Sequence, residues 1–223
     1  MTGLVRERRP LPSRPAVWVE PRKAFVKAHG AARGERTAKR FEAAAKAFRA
    51  DRHEEARKIL VPIVKSFQNV ADVRELYGLV LYRLGNFEAA LEELEAFREL
   101  SGTTEQHPVL ADCHRALKNW TDVDALWEEL GEVSPDASLV TEGRIVVAGA
   151  MADRGEVPQA IMFLEKGWKL PKRPQPHHLR RAYALADLFE RAGRKPRARE
   201  LFAWVQTHDP DLADVTHRAT TLN

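Results

Sequence analysis

The chain has 223 residues, 44% apolar and 30% charged, with a formal net charge of +4; this balance excludes a disordered polymer and leaves room for one ordinary domain or a short array of repeats. No run approaches the roughly 18 uninterrupted apolar residues that a spanning helix needs, and the Arg- and Pro-rich start lacks the apolar stretch of a secretory signal, so a cytoplasmic location is expected. Cys113 is the single cysteine, which rules out an intramolecular disulfide and a zinc site built on cysteine pairs.

Residues 1–36 carry nine Arg or Lys against three Glu, a charge of +6 that leaves −2 for the rest of the chain. The basic pI of 9.3 therefore belongs to this segment and not to the body. Pro10, Pro12, Pro15 and Pro21 favour extended backbone, and 1–36 is expected to be a flexible basic arm. Val17, Trp18 and Val19 form an apolar island in it, suited to docking on the body, entering a partner or pairing with a sheet edge. Arg6, Arg8, Arg9, Arg14, Arg22 and Lys23 are the arm's candidates for screened attraction to nucleic acid or anionic lipid.

Beyond the arm, small residues recur at Ala56, Ala90, Val123, Ala160 and Ala198, separated by 34, 33, 37 and 38 positions. Twelve residues before each stands another small residue, namely Ala44, Gly78, Ala111, Ala148 and Ala186. Four residues after each stands a large apolar one, namely Leu60, Leu94, Trp127, Leu164 and Phe202. Two antiparallel helices approach closely only where their crossing carries small side chains, so each period reads as a helical hairpin. The predicted hairpins span about 37–70, 71–104, 104–137, 141–174 and 179–212, followed by a C-terminal cap and tail over 213–223. Gly85, Gly155 and Gly193 lie where the first helix of a hairpin must end, since glycine accepts the left-handed backbone of that stop. Lys118 holds this place in the third hairpin, whose register follows from matching Asn119-Trp120 to Asn86-Phe87. The wider late spacings require extra residues between hairpins, and Ser134-Pro135-Asp136 and Pro171–Pro176 are where they are expected.

This pattern resembles the tetratricopeptide repeat family. The second hairpin supplies Gly78, Gly85, Phe87, Ala90 and Leu94 at the family's positions; the fifth supplies Ala186, Gly193, Ala198, Phe202 and Pro210, with Asp209 and Pro210 suited to opening a following helix. The resemblance implies an all-α, right-handed α-solenoid of about five antiparallel helix-turn-helix repeats, stabilised by nearest-neighbour stacking.

The resemblance also implies a concave groove lined by the first helix of each hairpin, holding a peptide or protein partner. Its residues would be Phe41, Phe48 and Arg49; Glu75, Leu79, Tyr82 and Arg83; Asp112 and Arg115; Ile145 and Asp153; and Arg180, Tyr183, Asp187, Glu190 and Arg191. Aromatic anchors among mixed charges suit a peptide better than a uniform phosphate backbone. Arg49, Arg83 and Arg115 recur at near-repeat spacing and read either as a basic ladder for an acidic partner or as arginines paired to nearby carboxylates. Family members that hold the C-terminal carboxylate of chaperones use a Lys and an Asn where this chain has Phe41 and Ala45, so that clamp is absent.

No catalytic, cofactor or metal-binding set stands out. Asp112, Cys113, His114 and His107 are the nearest approach to clustered chemistry, yet His114 falls at a packing position and a cysteine in this setting is usually a small buried hydrophobe. His177 and His178 lie in a Pro-rich connection without further ligands nearby. The expectation is a noncatalytic interaction scaffold; the alternative is a nucleic-acid- or ribosome-associated factor using the basic arm. Partner identity and oligomeric state are not encoded in any motif.

Overall fold

The computed structural model describes residues 19–133 and 136–221, and the residues described are helical or in short connections, with no strand among them. In chain order the helices are α1 (Val19–Arg49), α2 (His53–Ser66), α3 (Ala71–Arg83), α4 (Phe87–Ser101), α5 (His107–Ala116), α6 (Trp120–Val133), α7 (Ala137–Asp153), α8 (Val157–Glu165), α9 (Pro176–Arg191), α10 (Lys195–His208) and α11 (Val215–Thr221). They fall into two compact units, one ending at Asn119 and the other beginning at Trp120. The N-terminal unit thus contains α1 to α5, and the C-terminal unit α6 to α11.

Five turns of one geometry punctuate the helices. Asp51, Gly85, Lys118, Gly155 and Gly193 all adopt left-handed backbone, with φ of 58°, 79°, 63°, 87° and 72°. At each, the next residue's N–H donates to the carbonyl five positions back, as Asn86 does to Leu81 at 3.0 Å and Arg194 does to Phe189 at 2.8 Å. The left-handed residue's own N–H donates three positions back. This pair of bonds is the Schellman stop, which satisfies carbonyls a helix end would otherwise leave open. The residue after the left-handed one also begins the next helix: the carbonyls of Arg52, Asn86, Glu156 and Arg194 accept from the N–H of Ala56, Ala90, Ala160 and Ala198. The recurrent small residue therefore makes the first helical bond of the second helix.

Apolar periodicity then decides which faces are covered. Ala90, Leu94 and Phe97 on α4, and Ala198, Leu201, Phe202 and Val205 on α10, lie on one face at three- and four-residue steps and are buried. In the N-terminal unit, Gly78 lets α3 close on α4, because a Cβ there would stand 2.7 Å from Leu94 Cγ. In the C-terminal unit, Gly143 does the same for α7 against Leu130 of α6. The core of the N-terminal unit gathers Phe25, Phe41, Leu60, Ile63, Phe67 and Val73; that of the C-terminal unit gathers Ala160, Ile161, Leu164, Leu185, Phe189 and Phe202.

Two departures from the sequence expectation concern the ends. Residues 19–36, expected within a flexible arm, are helical: α1 begins at Val19 and bends at Gly30, whose φ of 74° and ψ of 166° are not helical. The arm before the bend folds back on the arm after it, so closely that a Cβ on Gly34 would meet Val26 Cα at 2.4 Å. Phe25 is fully buried, 5.9 Å from the Phe41 ring and 4.6 Å from the Phe67 ring. Pro21 stands in the first turn of α1, where a missing N–H removes no helical bond. At the other end α11 starts at Val215, so Asp209 and Pro210, expected to open a following helix, lie in the link before it.

The remaining connections follow local chemistry. Asp136 opens α7 by accepting from the N–H of Ser138 at 2.7 Å and of Leu139 at 3.3 Å. Gln175 and His178 form a reciprocal cap at the start of α9, with Pro176 in its first turn. The segment before the α9 cap lies where the wider repeat spacing required extra length; Ser134 and Pro135, the other expected place, lie outside the described residues.

Candidate functional site

In the N-terminal unit the first helices α1, α3 and α5 pack side by side, and the expected groove residues of α3 and α5 meet across that seam. The Tyr82 hydroxyl donates to Asp112 Oδ2, while Arg115 Nε donates to Asp112 Oδ1 at 2.8 Å. One turn further, Gln106 Nε2 donates to Glu75 Oε1 at 2.8 Å in a buried position. Tyr82 also stands edge-on to Phe87, and Phe48 lies against His53 with ring centroids 5.5 Å apart. Arg49 is exposed, and Arg83 is half-buried, close enough to His53 to oppose its protonation.

The C-terminal unit ties its first helices in the same manner. Arg180 of α9 donates to Glu142 of α7 at 2.6 Å, and Arg191 of α9 donates to the Ala152 carbonyl of α7 at 3.1 Å. Arg218 of α11 reaches back to Asp187 at 2.8 Å and to Glu190 of α9, and Tyr183 donates to Asp214. These carboxylates hold the Arg218 guanidinium above its usual range although burial opposes it.

Phe41, Glu75, Leu79, Asp112, Ile145 and Asp187 are all under a tenth exposed. Phe41 and Ile145 belong to the cores, whereas Glu75, Asp112 and Asp187 link elements. Phe48, Tyr82, Arg83, Arg115, Arg180, Tyr183 and Glu190 are partly exposed; Arg49, Asp153 and Arg191 are exposed. Arg115, read from sequence either as a rung of a basic ladder or as a paired arginine, is bound to Asp112. The sequence reading did not single out Glu142, Gln106, Asp214 or Arg218, which supply the other halves of these links.

Of the arm residues, Arg6, Arg8, Arg9, Arg14 and Trp18 lie outside the described residues. Arg22 is bound by Glu35 across the bend of α1, through Nε at 3.0 Å and Nη2 at 2.6 Å, and Lys23 is exposed on the same helix. Cys113 is fully buried in the N-terminal unit. Burial, helped by neighbouring Asp112, pushes its thiol well above the usual range, so it stays protonated and is a packing residue. Among the described residues no group of His, Cys, Asp or Glu has the grouping of a metal site. No helix among them is long and apolar enough to cross a membrane.

No protein-family model and no curated protein matches the chain. Solved structures do. TTC0263, a thermophilic TPR protein of Thermus thermophilus, is similar with a TM-score of 0.66 at 16% identity, over 83% of this chain and 98% of that one. A putative kinesin light chain of Podosopora anserina with nearly identical TPR-like repeats gives a TM-score of 0.56 at 18% identity, covering 77% and 93% of the two chains. The pilF protein of Pseudomonas aeruginosa gives 0.55 at 14%, covering 92% and 78%. The fold is that of a tetratricopeptide-like helical repeat protein, an α-solenoid without strands among the described residues.

Proposed function

We propose that the chain is a noncatalytic scaffold that binds an extended peptide or a protein segment along the first-helix faces of its hairpins. The observation that carries this reading is the cross-repeat bonding of those faces. Tyr82 to Asp112 in the N-terminal unit, and Arg180 to Glu142 in the C-terminal unit, hold neighbouring first helices in register before any partner arrives. A surface fixed in this way loses little side-chain freedom on binding, which raises affinity for a given contact area. Phe48, Arg49, Tyr82, Arg83 and Arg115 keep part of their side chains exposed there, the aromatic and arginine chemistry typical of contact centres. The buried members of the expected groove act beneath the surface, as its supports.

The test is site-specific cross-linking in cells. A photoreactive residue at position 49 should trap a protein that the same residue at exposed Glu88 of α4 does not, and Arg83→Glu should reduce that trapping severalfold with the helical content retained. Equal trapping from positions 49 and 88, or trapping indifferent to Arg83→Glu, rejects the first-helix face as the working surface. For the alternative through the basic arm, Arg22 is already paired with Glu35.

A further inference from the structure

Away from the first-helix bonds, the C-terminal unit brings two arginines together at the end of α8. Arg181 of α9 donates through Nε and Nη2 to the Leu164 carbonyl, at 3.0 and 2.6 Å, and through Nη2 to the Lys166 carbonyl at 2.8 Å. Arg144 of α7 points at the preceding carbonyl, that of Phe163, from 3.4 Å. Aromatic rings flank both guanidinium groups: Arg144 lies 5.5 Å from the Trp127 ring and 5.2 Å from the Phe163 ring, and Arg181 lies 5.0 Å from Trp168. Among the described residues no carboxylate pairs with either, in contrast to Arg180 and Arg218 of the same unit. Burial, and then the Arg144 charge, pull the Arg181 guanidinium down to about 10. Burial alone lowers that of Arg144.

One cation completes a helix C-terminus, whose partial charge is only about half a unit. A second, half-buried and repelled by the first, is not explained by capping. Each guanidinium has five N–H donors; the contacts above occupy three on Arg181 and one on Arg144 and leave the rest for a ligand. Two positive charges without a carboxylate partner among the described residues, held beside adjacent carbonyls, match a dianion, whereas a single carboxylate would leave one of them without a counter-charge. Phosphate monoesters carry such a charge and accept bidentate bonds from arginine.

We propose that Arg144 and Arg181 form an oxyanion site that takes a phosphoryl group, supplied by a phosphorylated peptide or by free phosphate. The site is separate from the Arg49 and Arg83 surface and stands or falls independently of it. The experiment titrates the full chain with inorganic phosphate, with a phosphoserine pentapeptide and with its unphosphorylated form, following the arginine Nε–H and indole N–H signals by NMR. Saturable shifts are expected with the phosphorylated probes alone, and Arg144→Gln should weaken binding about tenfold or more, the loss of one charge-assisted contact. Tighter binding of the peptide than of phosphate would assign the source to a protein segment; equal or tighter binding of phosphate would assign it to the free ion. Unliganded Arg144→Gln should melt no lower than the parent, because removing one of two repelling cations relieves strain. The absence of saturation with both phosphorylated probes, or equal affinity in the variant, overturns the site. A marked fall in the melting temperature of the unliganded variant would likewise overturn it, by making Arg144 a structural cap.

Discussion

Lys118 is the third hairpin's departure from glycine at a turn that requires φ of 63°. A side chain at this backbone costs about 1 kcal/mol because its Cβ crowds the following carbonyl. Lys118→Gly should therefore stabilise the chain by about that amount in a denaturant titration, and a neutral or negative result would mean that the lysine side chain itself contributes there. Lys118 also shows how far the sequence could be read. Gly85, Gly155 and Gly193 marked three turns by composition, whereas Lys118 was placed by register alone; with Asp51, all five have the same hydrogen-bond pattern. Gly34 and Gly143 were not legible as contacts. What each meets, Val26 and Leu130, depends on a bend or a helix pairing and leaves no periodic trace.

At the scale of elements, the first arm of α1 is the main lesson. Its Pro21, Arg22, Lys23 and Lys27 have the composition of a solvated tail, and a single phenylalanine gives no apolar period to oppose that reading. The burial of Phe25 among Phe41 and Phe67, with the Arg22 to Glu35 pair across the bend, makes residues 19–29 a lid on the first hairpin. Burying a phenylalanine contributes roughly 1.5–3 kcal/mol. Deletion of residues 1–30 should consequently lower the melting temperature and speed amide exchange in α1 beyond the bend and in α2; unchanged exchange there would deny the lid its role. The candidate groove was partly legible for a similar reason. Spacing placed Tyr82, Asp112, Arg115, Arg180 and Asp187 on first helices, but their partners stand up to 38 positions away, and one-dimensional pattern carries no such pairing.

For the whole molecule, pH acts in each unit through a histidine, His53 in one and His177 in the other. Burial, and then the Arg83 charge, lower the His53 imidazole, with Asp51 opposing. Burial, then His178 and Arg180, lower His177, with Asp136 opposing. A depressed histidine binds its proton less readily in the folded chain than in the unfolded one. Its contribution is therefore complete above the unfolded value near 6.5 and is lost as pH falls through the folded one. Stability should decline as pH drops below about 6.5, and His53→Gln together with His177→Gln should flatten that decline in melting curves between pH 7 and 5. An unaltered profile in the double variant would place the sensitivity elsewhere.

The Schellman turn has a consequence for how such a chain changes length. The residue that follows the left-handed one closes one helix and opens the next, so the turn contains no spare position. Added residues are excluded from inside a hairpin and collect between hairpins, as in the link before α9. A hairpin sealed internally, with extra length confined to the links, behaves as a cassette. Recombination at the links can add or remove copies without reworking any copy's interior, and divergence is freest in the stretches that do no folding work.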